Sequence, residues 1–325
     1  MKRFKLALIV LAGMVVLLVG LWGLVTQPMS SGSPNPNPPE VDPAQLRKHV
    51  EFISKDCFPR DHLNVENLDR VAAYIREAFT SAATEVTDQC YEIEGRTYCN
   101  VIARFGPATK EIIVVGAHYD AWEELPGADD NASGVAGLIE LARLLGKVSL
   151  SMRVELVAFT LEEPPHFRTD WTGSAVHVRS LVESKVPVRL MMALEMIGTF
   201  SDEENSQRLP LALLKSFYPS RGNFIAVVGK SSQPLTARKV KRAMRSGSDL
   251  PVYSINAPES VEGIDWSDHR YYWKAGYPAV MITDTSYLRT RYYHTPKDTA
   301  DRLDYRRMAK VVQGVFAAVL ARSQS

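Results

Sequence analysis

Cysteine is scarce in this chain. Three cysteines in 325 residues are too few for a disulfide scaffold, and none has zinc-finger spacing. Charge of one sign is lacking as well: 38 basic side chains meet 37 acidic ones, for a net charge of +1. That balance excludes the basic footprint of a nucleic-acid binder and gives no sign of a polybasic partner. No internal repeat is visible. Long apolar runs are absent beyond the first 25 residues. What remains is a length and a 46% hydrophobic composition sufficient for one large core or two small ones.

The exception at the start is informative. Residues 1–5 carry three positive charges, and Leu6 to Val25 follows with none, a length that matches the hydrocarbon thickness of a bilayer. A cleaved signal peptide would have a shorter apolar region and a small-residue cleavage site, which Thr26-Gln27-Pro28-Met29 does not offer. The expectation is an uncleaved transmembrane signal anchor over 6–25 with residues 1–5 in the cytoplasm. The rest of the chain then lies outside it, periplasmic or extracellular. Residues 26–42, rich in Ser, Pro and Asn, read as a disordered tether, and 43–325 as the globular domain.

Within that domain Ala44–Ser54 and Asn64–Ala82 have helical periodicity, the second with Asn64 as its N-cap. Glu85–Ile93 and Arg96–Phe105 read as a hairpin closed by Glu94-Gly95, which sets Cys90 opposite Cys99. That pairing and three separate buried thiols remain equal alternatives, with Cys57 free under the first. From Ile112 onward apolar strands alternate with helices. Strands are predicted at 112–117, 153–160, 188–194, 224–229, 252–255 and 279–283. Helices are predicted at 134–145, after Trp171, and at 235–246, 266–273 and 305–320. This alternation is α/β: a single domain with a mixed, mostly parallel central sheet and helices on both faces.

The chemistry gathers where those strands end. His118, Asp130, Glu163, Glu195 and His294 all lie at or just beyond predicted strand C-termini, so parallel strands would bring the five to one edge of the sheet. Imidazoles and carboxylates together suit zinc, and a shared carboxylate holds two ions ~3.5–4 Å apart. Glu162, beside Glu163, is placed to move protons as general base and then acid. Ser133 is a candidate cap for helix 134–145. His269 reads as pocket structure rather than a ligand, and His49, His62, His166 and His177 as surface or rim. Glu123-Glu124 reads as a solvated loop, and the sequon at Asn131 as an unfavourable glycosylation site. Tyr287, Tyr292, Tyr293, Arg289 and Arg291 either line a pocket or pack a loop.

His118-Tyr119-Asp120, Gly127 to Gly134, Glu162-Glu163, Leu194 to Gly198 and His294 to Thr299 follow in order. In that order they resemble the motifs of the M28 family of zinc metallopeptidases, which includes aminopeptidases and has glutaminyl cyclases as relatives. The resemblance covers about residues 45–322 and implies the zinc-peptidase fold with two zinc ions. One ion would be held by His118 and Glu195 and the other by Glu163 and His294, with Asp130 bridging. Glu162 would be the general base, and Asp120 would orient His118 through its far nitrogen. A cis peptide at Asp130-Asn131 is implied too. Two departures stand out. Glu195 occupies a position where aspartate is common, and the segment from Pro164 to Thr172 is longer than in compact aminopeptidases, as in cyclases. Tyr293 before the histidine is not the tryptophan of cyclases. The implied activity is a membrane-anchored exopeptidase acting on peptides, most simply an aminopeptidase. The alternatives are a single-zinc cyclase-like acyltransferase and an inactive binding protein.

Overall fold

Strand formation in this chain starts from apolar runs that are buried on both faces. In the computed structural model the description covers residues 2–27, 34–210 and 212–324, without the side chains of 2–4, 6–9, 21, 212 and 213. The first element is helix α1 (Lys2–Thr26), followed by α2 (Pro43–Glu51), which runs into a π turn over Phe52–Asp56, and α3 (Val65–Thr80). Asp42 caps α2 by accepting from the Ala44 amide at 2.8 Å. Asn64 sits at the N-cap position of α3 but makes no capping bond. Its Nδ2 donates to Asp61 instead.

Strands β1 (Glu85–Ile93) and β2 (Arg96–Phe105) form the expected hairpin, with Glu94 and Gly95 both at positive φ (51° and 77°). Cys90 pairs with Cys99 in register, and the two form a disulfide, while Cys57 is free and buried. Then come β3 (Ile112–His118), α4 (Gly134–Leu145), β4 (Arg153–Phe159), α5 (Gly173–Glu183) and β5 (Val188–Glu195). They are followed by β6 (Ile225–Lys230), α6 (Pro234–Gly247), β7 (Val252–Ala257), α7 (His269–Lys274), β8 (Ala279–Thr283) and α8 (Tyr305–Ser323). One eight-stranded sheet results, in the order β1-β2-β4-β3-β5-β8-β6-β7. The central strands β4, β3, β5 and β8 are parallel. Antiparallel joints link β2 to β4 and β6 to β8.

The sheet separates two apolar layers. Ile113, Val115 and Ala117 of β3 pack with residues of α3, α4, α6 and α8, whereas Ile112 and Val114 pack with α5 and α7. Alternation along one fully buried strand thus feeds both layers, as expected of a parallel sheet covered on each side.

The charge-free run expected to span a membrane lies within α1. Some of its side chains fall outside the described residues, and among the described residues no helix is long and apolar enough to cross a membrane. Of the segment expected to be a disordered tether, 28–33 lies outside the described residues. The backbone after it is bonded to the domain. Asn35 donates to Ser246 O, and Glu40 O and Pro39 O accept from Arg143 and Gln313.

Gly116 shows how tightly the carboxyl end of β3 is packed. A Cβ there would lie 2.2 Å from Cε2 of the fully buried Phe159 ring. Gly116→Val is therefore expected to lower unfolding free energy by about 1–3 kcal/mol, as overpacked cores do. A urea-unfolding midpoint equal to that of the parent would contradict this.

Candidate metal centre

Because β3, β4, β5 and β8 are parallel, their carboxyl ends share one edge. β3 delivers His118 and β5 delivers Glu195 as their last residues. β4 passes through Leu161, at φ 58°, into Glu162 and Glu163. The loop after β8 brings in His294, itself at φ 51°. Side chains rarely occupy this left-handed region, and residues held there gather at functional sites. Asp130 comes from the loop after β3, where Gly127 (φ 53°) leaves no room for a Cβ, which would meet Asp130 O at 2.1 Å. The Asp130-Asn131 peptide is cis.

Asp130 divides its carboxylate between two groups. Oδ1 lies 3.4 Å from His118 Nε2, which is 3.5 Å from Glu195 Oε2. Oδ2 lies 3.1 Å from His294 Nε2, which is 3.3 Å from Glu163 Oε1. Ligand atoms of His118, Asp130 and Glu195 lie within 4.8 Å of one another, and so do those of Asp130, Glu163 and His294. Glu162 forms a third such group with His118 and Glu163, its Oε2 lying 4.0 Å from His118 Nε2.

Both ring nitrogens of His118 and Nε2 of His294 are buried without a hydrogen bond. Among the carboxyls, burial and the Asp130 charge raise Glu163 to about 7. Burial raises Glu162 well above the usual range, the charges of Glu163 and Glu195 adding to it against His118. Burial also raises Glu195. For His294 burial works downward, but the Asp130 and Glu163 carboxylates 3.1 and 3.3 Å from Nε2 override it and lift the ring to about 10. Orphaned imidazole nitrogens among crowded carboxylates are the donor set of a divalent transition metal, so the residues fit zinc.

The surrounding shell holds these groups still. Asp120 accepts from the amides of Glu162 (3.1 Å) and Glu163 (3.0 Å) and faces His118 Nδ1 at 3.4 Å. Burial acts against its ionisation, and His118 with the two amides reverses that, leaving the carboxyl below its usual value. Ser267 Oγ donates to Glu195 Oε2 at 2.7 Å. Asp298 accepts from the amides of Asp129 (2.9 Å) and Asp130 (3.1 Å). Asn131 spans to the end of β5, donating to Leu194 O and accepting from the Met196 amide. Arg60, fully buried, donates to Tyr119 O, Pro126 O and Gly127 O and so fastens the loop that carries Asp130. Sequence reasoning assigned no role to Arg60, Asp129, Asp298 or Ser267. Arg60 has no local signal, whereas Asp298 already stood in the His294 motif.

Other expectations divide. His269 is buried with Nε2 on Ile264 O at 2.8 Å and stands in no ligand group; burial lowers its pKa to about 4. His177 is not a rim residue: it is 2% exposed and bonds Tyr272 Oη at 2.6 Å, because α5 turns it into the second layer beside Glu155. Ser133 does not cap α4, since its hydroxyl donates to Asp129 O and accepts from the Ile197 amide. Glu123 and Glu124 are exposed, and Asn131 is fully buried, which suits the discounted sequon. Tyr293 stacks on His294 at 3.8 Å, and Trp122 covers the same ring at 4.2 Å. Tyr287 and Tyr293 line a cavity of about 130 Å³, partly open to solvent, that begins at Glu195 and continues along Phe224, Tyr253, Trp266 and Met281. Arg289 packs a loop instead, bonded to Phe224 O and Gln207. Tyr292 lies under Arg302.

Known proteins resemble this chain in sequence and in fold. The profile described as "Peptidase family M28" matches residues 100–319. An uncharacterised Escherichia coli protein, YfbL, is 46% identical over 97% of this chain and 98% of its own length. A yeast protein named probable aminopeptidase YDR415C is 26% identical over 83% of this chain, which spans 64% of it. Among solved structures, a zinc aminopeptidase from Bacillus subtilis superposes with TM-score 0.68 at 16% identity, over 86% of this chain and 95% of the other. A glutaminyl cyclase from Bacteroides thetaiotaomicron does so with TM-score 0.63 at 20% identity, over 87% of this chain and 99% of the other. At such identities these two likenesses concern the fold.

His294 at about 10 is protonated at neutral pH and must lose that proton to ligate a metal. Zinc titration of the metal-free chain at pH 7 is expected to release protons, read as a buffer-dependent calorimetric heat. Heats identical across buffers of different ionisation enthalpy would refute it. Arg60→Met is expected to remove about 2–4 kcal/mol of stability through the orphaned carbonyls, with weakened zinc binding. Unchanged urea unfolding would refute that role.

Proposed function

The chain belongs to peptidase family M28, and from that premise we propose that it is a two-zinc exopeptidase of the aminopeptidase kind, anchored in a membrane by its N-terminal run. The observation that carries the reading is the Asp130 carboxylate divided between His118–Glu195 and His294–Glu163. His118, Glu195 and Asp130 would hold one zinc ion, and Asp130, Glu163 and His294 the other. Bound there, zinc supplies Lewis acidity toward the scissile carbonyl and lowers the pKa of water.

The chain's own groups do the rest. Asp120 holds the His118 ring by its far nitrogen and, through two amides, aims Glu162 and Glu163. Glu162 takes a proton from the attacking water as its oxygen bonds the peptide carbon. When the carbon–nitrogen bond breaks, Glu162 passes that proton to the leaving amine. Burial raises the Glu162 carboxyl, which makes its carboxylate a stronger base. The apolar, aromatic cavity beside Glu195 would take the side chain of the N-terminal residue, excluding water as it fills.

A cyclase-like acyltransferase is the second reading, favoured by the long rim at Pro164–Thr172. That rim is tied down by Arg168 to Asp265 at 2.8 Å. Such an enzyme needs only the Asp130, Glu163 and His294 group, so the His118–Glu195 half counts against it. The anchor reading rests on Leu6–Val25 and its basic flank.

Zinc-loaded protein incubated with a peptide library containing N-terminal glutamine is expected to shed N-terminal residues stepwise, bulky apolar ones fastest, by mass spectrometry. Ammonia loss from glutamine peptides alone would select the cyclase, and no change with zinc bound would select neither enzyme. Glu162→Gln is expected to keep two zinc ions and to lower kcat by ~10²–10⁴-fold. Zinc loss in that variant, or a near-parental rate, would sink the base assignment.

A further inference from the structure

Helix α6 carries Arg238, Lys239, Lys241, Arg242 and Arg245 and no acidic residue. Its buried side, including Val240 and Met244, belongs to the layer that also holds Val315 and Val319 of α8, while Arg238, Lys239 and Arg242 are exposed. Lys241 turns the other way, toward α1. Its Nζ donates to Thr26 O at 3.2 Å and to Gln27 O at 2.9 Å. Ser254 and Asn256 of β7 donate to Thr26 O and Leu24 O at 3.2 and 3.1 Å, and Gln27 donates to Pro234 O. The last turn of α1 is therefore fastened to α6 and β7 with no tether between them.

This bears on where α6 sits, given the anchor reading, on which the inference rests. Twenty residues from Leu6 to Val25 rise about 30 Å as a helix, the thickness of the hydrocarbon core. The hydrocarbon boundary then falls within one turn of Thr26, at the depth of Lys241. Trp22, one turn earlier, lies against Phe217 at 5.9 Å, where aromatic side chains favour the membrane interface. Phe217 and Leu235 are 41% and 60% exposed beside this junction. Cations this close to a bilayer lie within a Debye length of its phosphates.

We propose that the face of α6 bearing Arg238, Lys239 and Arg242 lies on the bilayer surface and binds the headgroups of anionic phospholipids, with Leu235 and Phe217 entering the interface. The catalytic domain is then held in one orientation at the membrane rather than swinging from a leash.

The test uses the full chain in lipid nanodiscs, with Lys239→Cys carrying an environment-sensitive fluorophore. Cys57 is buried and Cys90 and Cys99 are paired, so the label has one reactive thiol. Emission is expected to be about twofold or more higher in discs containing phosphatidylglycerol than in phosphatidylcholine alone, and to fall with added salt. Adding Arg238→Glu and Arg242→Glu should remove the difference. A label at Arg96→Cys, in the hairpin at the opposite edge of the sheet, should not respond. Equal, salt-insensitive emission in both lipids overturns the proposal, as does an equal response at position 96. Failure of the chain to enter discs at all overturns the anchor reading, and this inference with it, and is recognised by label absent from the disc fraction.

Discussion

Crowding of like charge governs this structure. Asp130, Glu162, Glu163 and Glu195 lie buried at one edge, with Asp120, Asp129, Asp268, Asp284 and Asp298 buried around them. Two unit charges 4 Å apart repel by about 4 kcal/mol even at an effective dielectric of 20. No packing of apolar groups offsets several such pairs. Imidazole from His118 and His294, guanidinium from Arg60 and Arg289, and backbone amides aimed at Asp120 and Asp298 relieve part of it. The carboxyls of Glu162, Glu163 and Glu195 stay raised, by burial first and by neighbouring carboxylates after it. The His118, Asp130 and Glu195 group and the Asp130, Glu163 and His294 group have the donors for a divalent cation, whose charge would discharge the remainder.

The parallel strands are what allow this concentration. Each of β3, β4, β5 and β8 ends at the same edge, so the last residues of β3 and β5 and the loops that follow β4 and β8 reach the centre. Antiparallel β6 and β7 contribute no ligand candidate. Instead Phe224, just before β6, with Ala226 and Val228 of β6 and Tyr253 of β7, walls the apolar cavity that opens beside Glu195. The ligand candidates and the apolar cavity thus come from strands of opposite direction in one sheet. Loop positions complete the site through backbone geometry, with Leu161, Met196 and His294 all held at positive φ.

Much of this was legible in the chain. His118, Asp130, Glu163, Glu195 and His294 stand at the ends of apolar runs, and a run of that kind has few choices but a buried strand. The hairpin that pairs Cys90 with Cys99 followed from alternation and the Glu94-Gly95 turn. Arg60 was not legible, because a guanidinium buried against Tyr119 O, Pro126 O and Gly127 O looks in sequence like any surface arginine. His177 failed for the same reason in reverse. Its polar type suggested a rim, and only the packing of α5 beside Tyr272 and Glu155 supplies the partners that let it be buried. Ser133 had the right type for a cap, but a hydroxyl bonds whichever partners the fold presents, here Asp129 O and the Ile197 amide.

The sequence by itself determined the α/β class, the strands that carry the site, and the residues that meet there, since burial pattern and residue type are local properties of the chain. Tertiary structure decided the rest: how Asp130 splits its oxygens between two groups, which polar residues are buried with partners, how α1 is fastened to α6 and β7, and where the apolar cavity opens. Those depend on distances between segments far apart in the chain, and no local pattern encodes a distance.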